Sequence, residues 1–212
     1  MSRGRFITVE GIEGVGKSTS LDAICAYLQR RGVEPVRTRE PGGTPVGEAV
    51  RGLLLSRELP GMGPETELLL MFAARAEHLG RLILPVLEAG KWVVCDRFTD
   101  ASYAYQGAGR GIPDERIAVL EDWVQGGLGP DLTILLDADV RIGLGRVHER
   151  GESDRFERET LAFFERVRDC YRRRAEAFPR RFRIVDAARP LESVTRDVIT
   201  AVQTLFGQAP ET

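Results

Sequence analysis

The chain has 212 residues, 42% hydrophobic and 29% charged, which suits one compact soluble domain with a substantial core. Its formal net charge is −2, so no bulk basic field draws it to nucleic acid or an anionic membrane, and any anion must be held by a local cluster. Cys25, Cys95 and Cys170 are widely spaced and odd in number, which argues against a disulfide framework or zinc site and for a reducing, cytoplasmic compartment. No apolar stretch approaches the ~18 residues of a membrane span, and Met1 to Arg5 lead into an apolar strand without a secretory pattern.

In chain order, residues 5–10 (RFITVE) read as a strand, 17–31 as a helix ended near Gly32, and 34–39 as a second strand. Residues 46–55 and 65–89 read as helices separated by a break at 61–64, and 92–96 (WVVCD) as a buried strand. Helical patterns at 100–105 and 113–124 precede a strand at 131–137 (DLTILLD). Helices at 140–149 and 157–178, a strand at 182–186 and a helix at 191–206 complete the chain. This alternation, without repeats or long linkers, predicts a doubly wound α/β fold with a parallel sheet covered on both faces. Ligands in such folds sit beyond the carboxyl ends of the strands, here the segments after Glu10, Arg39, Asp96, Asp137 and Asp186.

The segment after Glu10 is Gly11-Ile12-Glu13-Gly14-Val15-Gly16-Lys17-Ser18-Thr19, a match to G-x-x-x-x-G-K-[ST] between a strand and a helix. Glycines let backbone N–H groups turn around a phosphate, and the helix N-terminus adds partial positive charge. Lys17 is suited to the β- and γ-phosphates of a nucleoside triphosphate, and the Ser18 hydroxyl to Mg²⁺. Only Lys17 and Lys91 are lysines among 30 basic residues, so a Lys at the position that needs one carries weight. No N-K-x-D base-reading motif of a GTPase occurs. A small-molecule kinase and a nucleotide-binding regulator remain.

Asp96 and Arg97 directly follow the strand WVVCD. An arginine there suits a second phosphate, and Asp96 suits a Mg²⁺-bound water or Lys17; a surface pair closing the strand is the other reading. The turn TREPGGT, residues 38–44, offers backbone that a ligand can approach closely, or else a plain strand-to-helix connection.

FITVEGIEGVGKST, TREPGGT, LLLMFAARAEH, DRFTDASYAYQGAGRG, PDLTILLD and RGESDRFE, in that order, resemble bacterial thymidylate kinase over residues 5 to 190. The resemblance implies about five parallel strands in one P-loop kinase domain spanning residues 1–212. It implies transfer of the γ-phosphoryl group of Mg·ATP to dTMP, giving dTDP for dTTP synthesis, by a homodimer, for which the apolar helix 68–87 could supply the interface. It assigns Arg97 and Arg51 to the acceptor phosphate, and Arg75, Ser102 and Gln106 to the thymine edge. Tyr105 falls where a tyrosine packs on the sugar and disfavours a 2′-hydroxyl. Glu40 falls within the acceptor site, and Glu10, Asp96 and Ser18 around the Mg²⁺-phosphate region. The family usually places a Phe four residues before the thymine-binding arginine. Here Met71 holds that position and Phe72 lies three before Arg75; both share its helix face, and Phe72 is expected to stack on the base. His78 reads as a helix-surface residue.

Phosphoryl transfer needs positive charge at the equatorial oxygens in the transition state. Some family members carry an arginine inside the P-loop, whereas here Ile12 to Val15 hold Glu13 and no cation. Arg146, His148, Arg150, Arg155 and Arg158 crowd together farther on and resemble the arginine-bearing lid of the bacterial subtype, at about 146–156. Arg150 and Arg155 are the expected catalytic cations and Glu13 a residue that orients one of them; a solvated charged face is the other reading of the run. Other monophosphates or a nucleoside remain as alternative acceptors.

Overall fold

A computed structural model of the chain describes residues 3–56, 58, 61–150, 155–157 and 159–207, with Arg150 described in its backbone only. The strand Phe6–Glu10 (β1) is buried along its whole length, as a strand covered on both faces must be. It lies at the centre of a five-stranded sheet with Val36–Arg39 (β2), Val93–Asp96 (β3), Leu132–Asp137 (β4) and Phe182–Asp186 (β5), in the order β2-β3-β1-β4-β5. All pairings are parallel, as the alternating pattern required.

Side chains alternate across a strand, and the two cores follow that alternation. Ile7, Val9 and Val94 join one cluster with Leu21, Ile24 and Leu28 of the helix Lys17–Arg30 (α1) and Val194, Val198 and Val202 of the helix Leu191–Gln203. Phe6, Val93 and Cys95 join a second cluster with Leu79, Ile83, Leu87 and Phe98. In register, Val9 lies opposite Asp96, and Arg39 opposite the same Asp96. The carboxyl ends of β1, β2 and β3 therefore stand side by side, and the chain leaves each of them into the same cleft.

The sequence reading differs from the structure mainly in its helices. After Pro45–Leu55 (α2), the expected helix at 65–89 is three pieces: Pro64–His78 (α3), a wider π-helical turn Leu79–Ile83, and Leu84–Glu88 (α4). Pro85 lacks an N–H and its ring crowds the preceding turn, which the wider spiral accommodates. The expected helix at 100–105 is Thr99–Ser102 (α5) continued by a π-helical stretch Tyr103–Gly109. Asp114–Gln125 (α6) and Val140–Arg150 (α7) fall close to expectation. The helix expected from 157 begins at Leu161 and runs to Ala177 (α8), because Thr160 caps it by accepting from the Phe163 N–H. The last helix, Leu191–Gln203 (α9), ends in a 3₁₀ turn, Thr204–Phe206.

One buried ion cluster ties the layers together. Asp100 of α5 is only 1% exposed; it accepts from Nε of Arg174 in α8, and from Nη1 and Nη2 of Arg181, at the entrance to β5, at 2.7 and 2.9 Å. Arg181 also donates to the Thr133 hydroxyl of β4 at 2.7 Å. Burial alone would raise the Asp100 carboxyl; Arg181 and Arg174 outweigh it and hold the pKa below its ordinary value. A depressed native pKa contributes stability above the unfolded value, near ~3.9, and the contribution is lost as pH falls below it. Asp100→Ala leaves two arginines unpaired and is expected to cost about 3–5 kcal/mol. Urea unfolding at pH 7 reads the loss, and the gap to wild type should shrink in acid.

Candidate active site

The residues after β1 wrap from Gly11 to Gly16 into the first turn of α1. Lys17 Nζ donates to the carbonyls of Ile12 and Gly11 at 2.8 and 3.2 Å, so its ammonium lies inside the loop. Burial there, with Arg97 nearby, pushes its pKa down to about 8. Ser18 and Thr19 are exposed at the helix start. Gly14, at φ 74°, admits no side chain: a Cβ would lie 2.0 Å from the carbonyl oxygen of Gly143 in α7. The reverse holds too, since a Cβ on Gly143 would lie 2.5 Å from the Glu13 carbonyl oxygen. The loop and α7 thus meet backbone to backbone.

Arg97 is the only non-glycine residue at positive φ, 68°, among those described. Its N–H donates to the Val9 carbonyl at 3.0 Å, and the next N–H, of Phe98, to Glu10 Oε1 at 2.7 Å. This turn brings Arg97 Nη2 to Glu13 Oε1 at 2.8 Å, the Tyr105 hydroxyl oxygen at 2.7 Å and the Gly11 carbonyl at 3.2 Å. The Tyr105 hydroxyl donates in turn to the Glu13 carboxylate. Burial opposes charge on Arg97, but Tyr105 and Glu13 hold its pKa well above the ordinary value. Burial likewise raises Glu13, and Arg97, Lys17 and Tyr105 overcome it, so Glu13 stays a carboxylate. Glu13 was expected to orient a lid arginine; its partners are Arg97 and Tyr105. Glu10, expected beside the metal and phosphates, is fully buried between the Phe98 N–H and the Tyr171 hydroxyl, the latter at 2.8 Å. Burial, reinforced by Asp100, raises its pKa. It supports the turn rather than facing the cleft.

Two cavities open on this edge. One, of about 430 Å³, is lined by Ser18, Asp96, Thr38, Arg39 and their neighbours. Asp96 Oδ1 is buried without a hydrogen-bond partner among the described residues. The other brings together Glu13, Glu40, Arg51, Met71, Arg97, Ala101, Tyr105, Gln106 and Phe156. At one end stand Arg97 and Arg51. Arg51 donates to the Pro41 carbonyl at 3.0 Å, and its pKa is lowered by burial and by Arg39 and Arg97. Arg75 is not itself in the lining; it donates through Nε to Oε2 of the lining residue Glu40 at 2.8 Å and through Nη2 to Ser102 Oγ at 3.0 Å. Arg75 Nη1 and Gln106 Oε1 are buried without partners among the described residues.

The expectation of a stacking Phe72 is corrected. Met71, four residues before Arg75, lines the pocket, while Phe72 lies under the Arg75 guanidinium, 4.5 Å from ring centroid to Cζ, and faces a groove between α3 and α6. His78, read as a surface residue, is fully buried: Nδ1 lies 3.0 Å from Glu40 Oε1 and Nε2 2.7 Å from Thr38 Oγ1. The signal was available, because Met71, Arg75 and His78 recur at helical spacings on one face.

Arg155 does not reach the P-loop. It donates to Glu67 Oε2 at 2.6 Å and to the Leu54 carbonyl at 2.8 Å. Glu67, fully buried on α3, also accepts from Gln106 and Arg110, at 2.9 and 3.2 Å, so it draws the arginine to the acceptor side. Phe156, which lies in the string RGESDRFE but was assigned no role, follows it into the pocket wall. Among the described side chains of the expected arginine cluster, Arg146 reaches the P-loop, 3.4 Å from the Gly14 carbonyl. Residues 151–154, Arg158 and the Arg150 side chain lie outside the described residues.

A P-loop after the first strand of a five-stranded parallel sheet, with Arg97 and Arg51 in the adjoining pocket, places the fold in the P-loop nucleotide-kinase class. The thymidylate kinase family model matches residues 9–198, and the chain belongs to that family. It is 60% identical over 210 residues to the thymidylate kinase of Alkalilimnicola ehrlichii, covering 99% of this chain and 95% of the relative. It is 57% identical over 206 residues to that of Halorhodospira halophila, covering 96% of each. The crystal structure of thymidylate kinase from Ehrlichia chaffeensis is 35% identical with a TM-score of 0.78, covering 95% of this chain and 99% of that one.

A phosphate bound at Lys17 restores its proton, so binding takes up a proton once pH exceeds about 8. ATP affinity is expected to hold between pH 7 and 8 and to weaken by up to ~10-fold near pH 9. Calorimetry in buffers of different ionisation heat reads both the affinity and the proton uptake. A pH-independent Kd would place the titration elsewhere.

Proposed function

We propose that the chain catalyses ATP-dependent phosphorylation of dTMP to dTDP, one phosphorylation short of dTTP. The observation that carries this reading is the pairing, in one cleft, of the Lys17 loop with Arg97 and a pocket where, among the described residues, two buried atoms lack partners, one on the lining Gln106 and one on Arg75, which is bonded to the lining Glu40. The donor is Arg75 Nη1 and the acceptor is Gln106 Oε1, each without a partner among the described residues. Thymine offers the complement, a carbonyl oxygen beside a ring N–H, whereas cytosine presents an amino group where thymine has that carbonyl.

The attacking atom is a phosphate oxygen of dTMP, already ionised at neutral pH, so catalysis needs positioning and charge neutralisation more than a base. Lys17 and the N–H groups from Gly11 to Thr19 hold the ATP phosphates. Arg97 and Arg51 hold the acceptor phosphate, and Glu13 and Tyr105 fix the Arg97 guanidinium between the two sites. Tyr105 packs on the sugar and disfavours a 2′-hydroxyl. Ser18 and Asp96 would hold Mg²⁺; they share a cavity, and the unpaired Asp96 oxygen suits an ion that takes one or two carboxylates beside substrate phosphates. When bound, the ion neutralises charge on the β- and γ-phosphates. Arg150, at the end of the helix that touches the P-loop, remains the proposed lid cation.

The same reading makes the protein a cytoplasmic homodimer, consistent with three free cysteines. The groove between α3 and α6 supports this, with Leu69, Leu84, Val119 and the 81%-exposed Trp123 on it or beside it. Among the described residues no helix is long and apolar enough to cross a membrane.

A coupled assay with Mg·ATP and a panel of monophosphates and nucleosides is expected to give dTMP as the preferred acceptor. Phosphorylation of thymidine in preference to dTMP would overturn the reading. Arg97→Ala is expected to lose roughly 2–4 kcal/mol in kcat/KM for dTMP, with ATP affinity nearly unchanged. A comparable fall in ATP affinity would assign Arg97 to the donor. Arg150→Ala is expected to lower the single-turnover rate by up to ~10³-fold without changing either nucleotide Kd. A wild-type rate would make position 150 part of a solvated face.

A further inference from the structure

We propose that His78 is a positioning residue for base recognition: it fixes the Glu40 carboxylate, which fixes the Arg75 guanidinium, and so aims the N–H that Arg75 keeps for the acceptor. The inference rests on the acceptor site being the dTMP site. A carboxylate only accepts, so His78 Nδ1, 3.0 Å from Glu40 Oε1, is the donor. In the neutral ring Nε2 is then the acceptor, and the Thr38 hydroxyl, 2.7 Å away, donates to it. The tautomer is thus set from two sides by groups on β2 and the loop that follows it.

The other Glu40 oxygen accepts from Arg75 Nε at 2.8 Å, and Ser102 Oγ accepts from Nη2 at 3.0 Å. The rings of Phe72 and Phe98 pack on the guanidinium, with centroids 4.5 and 5.1 Å from its Cζ. The plane and rotation of Arg75 are therefore fixed, and among the described residues Nη1 is the guanidinium nitrogen without a partner. Burial makes this preorganisation effective, because Arg75, Glu40 and His78 are 1%, 5% and 0% exposed. Water cannot substitute readily for a missing link. The imidazole also has no slack toward the turn after Glu40: a Cβ on Gly43 would lie 2.5 Å from His78 Nε2 and 2.5 Å from Thr38 Oγ1.

Removing the imidazole leaves Glu40 with one partner fewer and free to rotate, which loosens Arg75. His78→Leu is expected to raise the KM for dTMP about 10-fold or more, while the KM for ATP and kcat stay within about 2-fold. Thymidine, which lacks the phosphate, is expected to weaken as a competitive inhibitor by the same factor. His78→Gln supplies one donor and one acceptor and should stay within about 3-fold of wild type. Thr38→Val, which removes only the far hydroxyl, should shift dTMP in the same direction by a smaller factor. An unchanged KM for dTMP in His78→Leu would overturn the proposal. So would unchanged thymidine inhibition beside a raised KM, because the effect would then enter through the phosphate end. His78→Gln as weak as His78→Leu would reduce the residue to packing. If His78→Leu does not fold, wild-type dTMP kinetics in Thr38→Val overturns the proposal just as well. Failure of wild-type protein to phosphorylate dTMP would instead remove the acceptor assignment itself.

Discussion

The peptide groups on either side of Arg97 are fastened to β1, one to the Val9 carbonyl and one to the Glu10 carboxyl. This fastening holds an arginine in the left-handed region, at a cost of ~1–2 kcal/mol that two hydrogen bonds of ~1 kcal/mol each offset. Were Arg97 in an extended conformation, the chain would continue the line of β3 and its guanidinium would leave the cleft. Turned back, it meets Glu13 of the P-loop and the Tyr105 hydroxyl of the π-helical stretch. The P-loop is thus joined at one side chain to two segments that follow it by 84 and 92 positions. Glu10 holds the turn from below, and Tyr171 of α8 holds Glu10.

The electrostatics of the cleft follow from that geometry. Lys17, Arg51 and Arg97 are gathered at one sheet edge of a chain whose net charge is negative. The pKa values of Lys17 and Arg51 are pushed down, with burial the first cause and neighbouring cations the next. Glu13 counters part of this field and is itself held ionised. The gathered cations suit ligands that bring two phosphate groups, whose negative charge would relieve their mutual repulsion.

Much of this was legible in the sequence, and the remainder divides by physical cause. The strands were readable because buried parallel strands are short, apolar and bounded by loops, and the P-loop because its glycines and lysine are fixed by contact with phosphate. Arg97 was readable from its place directly after a strand. The partner of Arg155 was not, because a surface-like arginine run carries no mark of which member meets a buried carboxylate such as Glu67. The burial of His78 lay in a spacing shared with Met71 and Arg75, but nothing local revealed that Glu40, 38 residues earlier, would meet its ring. The exchange of Met71 for Phe72 turned on a single helical step, which periodicity alone does not resolve. The π-helical turns escaped because their hydrophobic pattern over a few residues is that of an ordinary helix.

The backbone contact between Gly14 and Gly143 binds the evolution of two distant segments. Neither position admits even a methyl group unless the opposing chain withdraws, and the opposing chain is a phosphate cradle in one case and a helix in the other. Drift at one site is therefore conditional on displacement at the other. A chimera that takes its phosphate loop from a relative with a different spacing here needs that relative's α7 as well. The inheritable unit is the pair, although 129 positions separate its members, the difference between 143 and 14 in the chain numbering.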